Sequence, residues 1–280
     1  MIIRFYLLCL LINCVFGVFA WRKKKKEAVD RIITLTIVLH ILCLVLWGGP
    51  YAFTLFTAVL LGLGVCEITR PVKEKSMPWI MIALVWGTVL FLHEPLLHYS
   101  IPLFLLTSVI AFAGKKEQVR SRYYLCGLIL LVLVPCAVSL TAIYSMNCGW
   151  VIALVLLLQL NDGFGYHFGK SFGKTKIFKT ISPNKSLEGY LFGLIGLVAG
   201  MVLLYSFIPV LQGCSPAKAS LLAAYLFIFG NAGDLLFSAV KRKLEIKDFG
   251  HILPGHGGIL DRFDNILFAA PVLYFMLQGW

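Results

Sequence analysis

The sequence predicts an all-α polytopic integral membrane protein, and three observations carry that prediction. Hydrophobic residues make up 60% of the 280-residue chain and charged residues only 14%, with a mean hydropathy of +0.89. The apolar residues run in continuous stretches, whereas a barrel strand would alternate, so each stretch must satisfy its own backbone as a helix. Basic residues return in every second connection, as topology signals do. The formal charge of +12 would suggest a nucleic-acid partner in a soluble protein. Here it follows membrane topology, and no nucleic acid is expected.

Taken in order, apolar runs near 2–20, 32–48, 51–69, 78–93, 99–114, 123–144, 149–168, 189–210, 219–240 and 263–279 give about ten transmembrane helices. The first run ends in Gly17-Val18-Phe19-Ala20, like a cleavable signal, but Arg22 to Lys26 follows directly and resists translocation, so it is kept as a span. The fifth is short against the roughly 20 residues a span needs. About nine helices remain if the first or the fifth is not a true span. The connections Arg22 to Arg31, Arg70 to Lys75, Lys115 to Arg122, Lys170 to Lys185 and Lys241 to Arg262 hold every Lys and Arg except Arg4 and Lys218. By the positive-inside rule these five are cytoplasmic and both termini lie outside.

None of the eight cysteines stands in a C-x-x-C pair. Most sit in apolar runs as small hydrophobes, and only Cys148 and Cys214, in predicted external loops, form a candidate pair.

The chain divides into N-terminal membrane helices over 1–122 and a C-terminal catalytic membrane domain over 123–280, with cytoplasmic motif loops at 161–189 and 241–262. The first part carries little chemistry. His40 reads as a buried hydrogen-bonding residue, and Glu67 has no partner visible in the sequence. Asp162, Glu188, Asp234, Glu245, Asp248, Asp261 and Asp264 all follow position 160, so function should face the cytoplasm.

The first charged cluster runs from Asn161 to Lys176 and on through Ile181 to Gly189. Asp162 ends an apolar run, and the glycines at 163, 165, 169 and 173 allow close backbone approach or an anion cradle. Lys185 and Glu188 are one helical turn apart. The second cluster is sharper. Helical spacing puts Asp234, Ser238, Lys241 and Arg242 on one face, and Pro254-Gly255-His256-Gly257-Gly258 is a turn feeding a new helix whose first amides suit phosphate. Asp261 and Asp264 share a face of that helix. Two carboxylates so placed repel unless a cation sits between them, and Mg²⁺, held by carboxylates and substrate phosphates, answers that need.

Ser238-x-Val240-Lys241-Arg242, Lys247-Asp248-x-Gly250 and Leu253-Pro254-x-His256-Gly257-Gly258-Ile259-x-Asp261-Arg262-Phe263-Asp264 together resemble the signature of phosphatidate cytidylyltransferases, the CDP-diacylglycerol synthases. Upstream, Asp162-x-x-Gly165-Tyr166, Gly169-Lys170 and Ser182-Pro183-Asn184-Lys185-Ser186-Leu187-Glu188-Gly189 resemble the same family. They depart from it at Gly165, Lys170, Ser186 and Leu187, and Asn265 stands where the family often has Ser.

The resemblance implies transfer of CMP from CTP to phosphatidate, giving CDP-diacylglycerol and pyrophosphate. It also implies a Mg²⁺-dependent centre with a second cation, held by Asp234, Asp261 and Asp264 with Ser238 nearby. Lys241, Arg242 and His256 complete the expected catalytic set. Lys185, Lys247, Gly257, Gly258, Arg262, Asp162 and Glu188 are expected to bind or order substrate. The expected setting is the inner membrane among membrane lipids, with the active site facing the cytoplasm, and the reading admits a homodimer. Two alternatives are a CTP-dependent polyprenol- or phytol-type lipid kinase and an ion-coupled transporter. The transporter predicts mid-membrane charge and internal repeats, but the acids cluster at one face and no repeat is visible.

Overall fold

The computed structural model describes Tyr6 and residues 26–70, 117–250 and 257–280. The predicted runs at 78–93 and 99–114, the run at 2–20 apart from Tyr6, and His256 lie outside these residues. Among the described residues regular structure is helical: α1 (Lys26–Trp47), α2 (Gly49–Thr69), α3 (Glu117–Met146), α4 (Cys148–Phe172), α5 (Leu187–Tyr205), the single turn α6 (Pro209–Gln212), α7 (Pro216–Lys243) and α8 (Leu260–Gln278). Of these, α2, α4, α5 and α7 are long and apolar enough to cross a membrane.

Local signals explain the boundaries. Gly49, at φ +88°, turns the chain between α1 and α2 in a conformation that only glycine adopts cheaply. Asn147 caps α4 by accepting from the Gly149 amide, and Ser215 caps α7 by accepting from Lys218, with Pro216 in the first turn. Helix α7 ends just after Lys241-Arg242-Lys243, cations that its C-terminal dipole favours. There Ile246 donates to the Lys241 carbonyl and Glu245 turns left-handed at φ 59°.

Two apolar clusters hold the helices together. One joins Leu42 and Leu46 of α1, Phe53 of α2, Ile143 of α3, Leu154 and Leu157 of α4 and Leu273 of α8. Tyr144 stacks on Phe53 and donates to the Leu46 carbonyl at 2.8 Å. The other lies beneath the charged motifs and joins Leu61, Val65 and Ile68 of α2 to Phe237, Phe249, Leu260 and Leu267. His40 bonds the Tyr6 hydroxyl and the Thr36 carbonyl, the structural role its setting suggested.

Three expectations are revised. Helix α4 does not stop before the glycine-rich stretch; it continues to Phe172, so the first motif loop spans 173–186 instead of 161–189. The glycines are spent on packing. A methyl on Gly169 would come 3.1 Å from the Gly189 Cα, and one on Gly193 would come 2.9 Å from the Asn161 Oδ1, so α4 and α5 touch through their backbones. Similarly, α7 runs to Lys243 and α8 begins at Leu260, so both ends of the predicted second loop, 241–243 and 260–262, are helical. Cys148 and Cys214 are both free thiols.

Candidate active site

Asp234 is the pivot of the charged region. Its Oδ2 pairs with the Lys185 ammonium at 2.6 Å, and its Oδ1 accepts from the Ser238 hydroxyl at 3.3 Å, one turn along α7. Burial pushes the Lys185 ammonium down, but Asp234 and the neighbouring Tyr190 outweigh it and hold the group above its ordinary 10.5. Asp264 of α8, only 7% exposed, lies within electrostatic reach of Asp234, Asp162 and Lys241. Asp162 of α4 in turn feels Asp234 and Lys185. Three carboxylates from three helices therefore act on one another electrostatically, with Lys185 paired to Asp234 and Lys241 acting on Asp264.

Asp162 is fixed by amides. Asn161 donates to its Oδ1 at 3.0 Å and Asn265 to its Oδ2 at 2.5 Å. Asn265, noted in the sequence only as a departure from a serine, ties α8 to α4.

Asp261 has a different environment from Asp264. Its Oδ1 pairs with Lys241 at 2.6 Å, and its Oδ2 accepts the Phe249 amide at 2.9 Å and the Gly258 amide at 3.0 Å. Both oxygens are committed, and the side chain is 5% exposed. The Gly258 amide, expected to cradle phosphate, here serves a carboxylate of the protein. Gly257, at φ +85°, makes the bend that allows this, and a methyl there would meet the Asp261 Oδ2.

The 173–186 loop is a small hairpin pinned at both ends. Thr175 and Leu187 pair by backbone at 2.9 Å, and Glu188 accepts the Lys174 and Thr175 amides and the Thr175 hydroxyl. Glu188 thus orders the loop that carries Lys185. Arg242 does not point with Lys241; its Nε donates at 3.2 Å to the Ile181 carbonyl, tying the end of α7 to the hairpin. Lys247 and Arg262 are exposed.

Among the described residues no three His, Cys, Asp or Glu side chains already stand as a metal-ligand set. The donor chemistry still fits a hard divalent cation at Asp234 and Asp264, since Mg²⁺ takes one or two carboxylates and completes its shell with water and substrate phosphate. Asp261, whose side chain is 5% exposed against 35% for Asp234, is less open to a cation in this arrangement.

One residue that sequence reasoning passed over is central. Glu67 of α2, 3% exposed, accepts the amides of Ile259 at 2.9 Å and Leu260 at 3.0 Å at the start of α8. A carboxylate one turn inside an apolar helix was the available signal.

Residues 29–280 match the cytidylyltransferase family. The chain belongs to that family. Among curated relatives, the Bacillus subtilis (strain 168) phosphatidate cytidylyltransferase is 46% identical over 123 residues, 44% of this chain and 45% of the relative. The Aquifex aeolicus (strain VF5) phosphatidate cytidylyltransferase is 33% identical over 168 residues, 59% of this chain and 61% of the relative. An uncharacterized Escherichia coli (strain K12) protein, YnbB, is 38% identical over 128 residues, 46% of this chain and 42% of the relative. The matched stretches thus span about half the length of these relatives.

Proposed function

We propose that the chain is a phosphatidate cytidylyltransferase, transferring CMP from CTP to phosphatidate and releasing pyrophosphate. One observation carries the reading: Asp162, Asp234 and Asp264, on three helices, lie within electrostatic reach of one another, with Lys185 paired to Asp234 and Lys241 within reach of Asp264. Phosphatidate is already an anion, so the reaction needs no strong base. Its difficulty is bringing two polyanions together, and fixed cations lower that barrier. The membership in the cytidylyltransferase family supports the same reading.

In this mechanism the phosphate oxygen of phosphatidate attacks the α-phosphorus of CTP, and the bond to the β-phosphate breaks. Lys185 and Lys241 bind phosphate oxygens and offset the charge of the leaving pyrophosphate. Arg242 holds the hairpin that positions Lys185, and Ser238 orients Asp234. Asp234 and Asp264 would hold Mg²⁺, which supplies Lewis-acid stabilisation of the phosphates when bound. Asp261 keeps Lys241 and the Gly258 turn in place. His256 and Lys247 remain candidates for the pyrophosphate side. The positive-inside pattern of the basic connections supports a pocket on the cytoplasmic side of about ten spans in the inner membrane, with the acyl chains remaining in lipid.

CTP labelled separately at the α- and γ-phosphates tests the proposal on membranes carrying the chain. A cytidylyltransferase puts the α-label into lipid and releases the γ-label as pyrophosphate. Transfer of the γ-label to lipid with release of CDP would instead establish a kinase.

A further inference from the structure

We infer that Glu67 is a positioning residue for the reaction, and that α2 is the strut that sets the register of the acidic helix α8. The inference rests on the function proposed above. It starts from a mismatch: Glu67 is a carboxylate in a strongly apolar helix, 3% exposed, and among the described residues no lysine or arginine pairs with it. Instead it takes the amides of Ile259 and Leu260, separated from it by more than half the chain, with one oxygen to each. These amides begin α8, whose unsatisfied N–H groups and dipole favour an anion. The anion at this helix start is the protein's own.

The surroundings leave Glu67 little freedom. A methyl on Gly250 would lie within 3.2 Å of three Glu67 side-chain atoms and nearest its Oε1, and one on Gly258 would come 2.7 Å from its Oε2. One turn earlier in α2, Gly64 leaves room for the Leu260 side chain; a methyl there would come 2.9 Å from the Leu260 Cδ2. Helix α2 therefore grips α8 at two points, a socket for the Leu260 side chain and a carboxylate for its backbone. Asp261 is the next residue and Asp264 lies one turn further on. Neither Glu67 nor Gly64 touches the reacting groups. Both fix where the carboxylates stand relative to Asp234 and Lys241 on α7.

This separates positioning from bulk stability. Releasing the start of α8 should misplace Asp264 and so weaken the cation and turnover, while phosphatidate binding through its acyl chains is preserved. Glu67→Gln keeps the shape but turns an amide donor toward an amide donor. It should lower kcat by about tenfold or more and raise the half-saturating Mg²⁺ concentration several-fold, with KM for phosphatidate within about twofold of the parent, the cost of one misaligned buried hydrogen bond. Gly64→Val, which pushes on Leu260 without touching the carboxylate, should give the same pattern. Cys66→Ala, on the exposed side of α2, should behave as the parent.

Hydrogen exchange at Ile259 and Leu260 in the purified full chain gives a readout independent of activity. Slow exchange in the parent and fast exchange at these two amides in Glu67→Gln, with helices α4 and α5 unchanged, is the expected result. Equal exchange at both amides, or a variant whose kcat and Mg²⁺ dependence match the parent, overturns the inference. A parent that makes no CDP-lipid would defeat the proposed function instead, and the exchange comparison would still decide whether Glu67 holds α8.

Discussion

The Lys241–Asp261 pair gives the most demanding prediction about the site. Lys241→Met removes the ammonium and leaves Asp261, 5% exposed, with two amides on Oδ2 and nothing on Oδ1. Breaking a buried pair on one side costs about 3–5 kcal/mol; because the Lys241 side chain keeps 15% of its exposure, the lower end, about 3 kcal/mol, applies. Asp261→Asn should cost a similar amount for a different reason. Its carbonyl can keep the Phe249 and Gly258 amides, but its NH₂ then faces the Lys241 ammonium. In the double variant that conflict disappears and no charge is left unpaired, so the total should fall below about 3 kcal/mol where simple addition gives about 6 kcal/mol. Equilibrium unfolding in mixed micelles, with divalent cations chelated, measures all four proteins. Additivity within about 0.5 kcal/mol would show that the two side chains do not share a buried pair and would refute the reasoning.

Other consequences follow from the same geometry. Asp264→Asn should abolish CDP-lipid formation while the protein stays folded and inserted, and near-normal turnover at saturating Mg²⁺ would remove Asp264 from the cation site. Gly189→Val should force α4 and α5 apart, since Gly165 and Gly169 already lie against it; overpacking of this kind costs about 1–3 kcal/mol and should appear as a lower unfolding midpoint with loss of activity. Glu188→Ala should free the Lys174 and Thr175 amides, and trypsin should then cut the hairpin at Lys174 or Lys176 several-fold faster. Because Lys185 titrates above its ordinary 10.5 when folded, its pairing should stabilise the cation-free protein fully below that value. The contribution should fade as pH rises through the folded value, and Lys185→Met should lack that alkaline loss.

The helices were legible because an apolar run in lipid has few alternatives: the predicted 51–69 and 149–168 became Gly49–Thr69 and Cys148–Phe172. The shared face of Asp234 and Ser238 was also legible, since a spacing of four residues is about one helical turn. Arg242 was not, because a neighbouring residue on that face can swing to either side, and the hairpin carbonyl that it reaches exists only in the fold. The glycines of α4 were placed in a motif loop, and of the two roles read for them the close backbone approach is the one met. Their partner surface on α5, Gly189 and Gly193, supplies the packing that overrides propensity. The roles of Glu67, Asp261 and Asn265 depend on backbone amides or on residues far along the chain, which composition and spacing do not reveal.

The central claim is that the lipid phosphate attacks the α-phosphorus of CTP. Phosphatidate carrying ¹⁸O in its phosphate, incubated with unlabelled CTP and the purified chain, tests it directly by mass spectrometry of both products. The account predicts that the CDP-lipid keeps all of the ¹⁸O and that the pyrophosphate carries none. Release of CDP with a lipid bearing a transferred γ-phosphate, or ¹⁸O appearing in free phosphate or pyrophosphate, would contradict it.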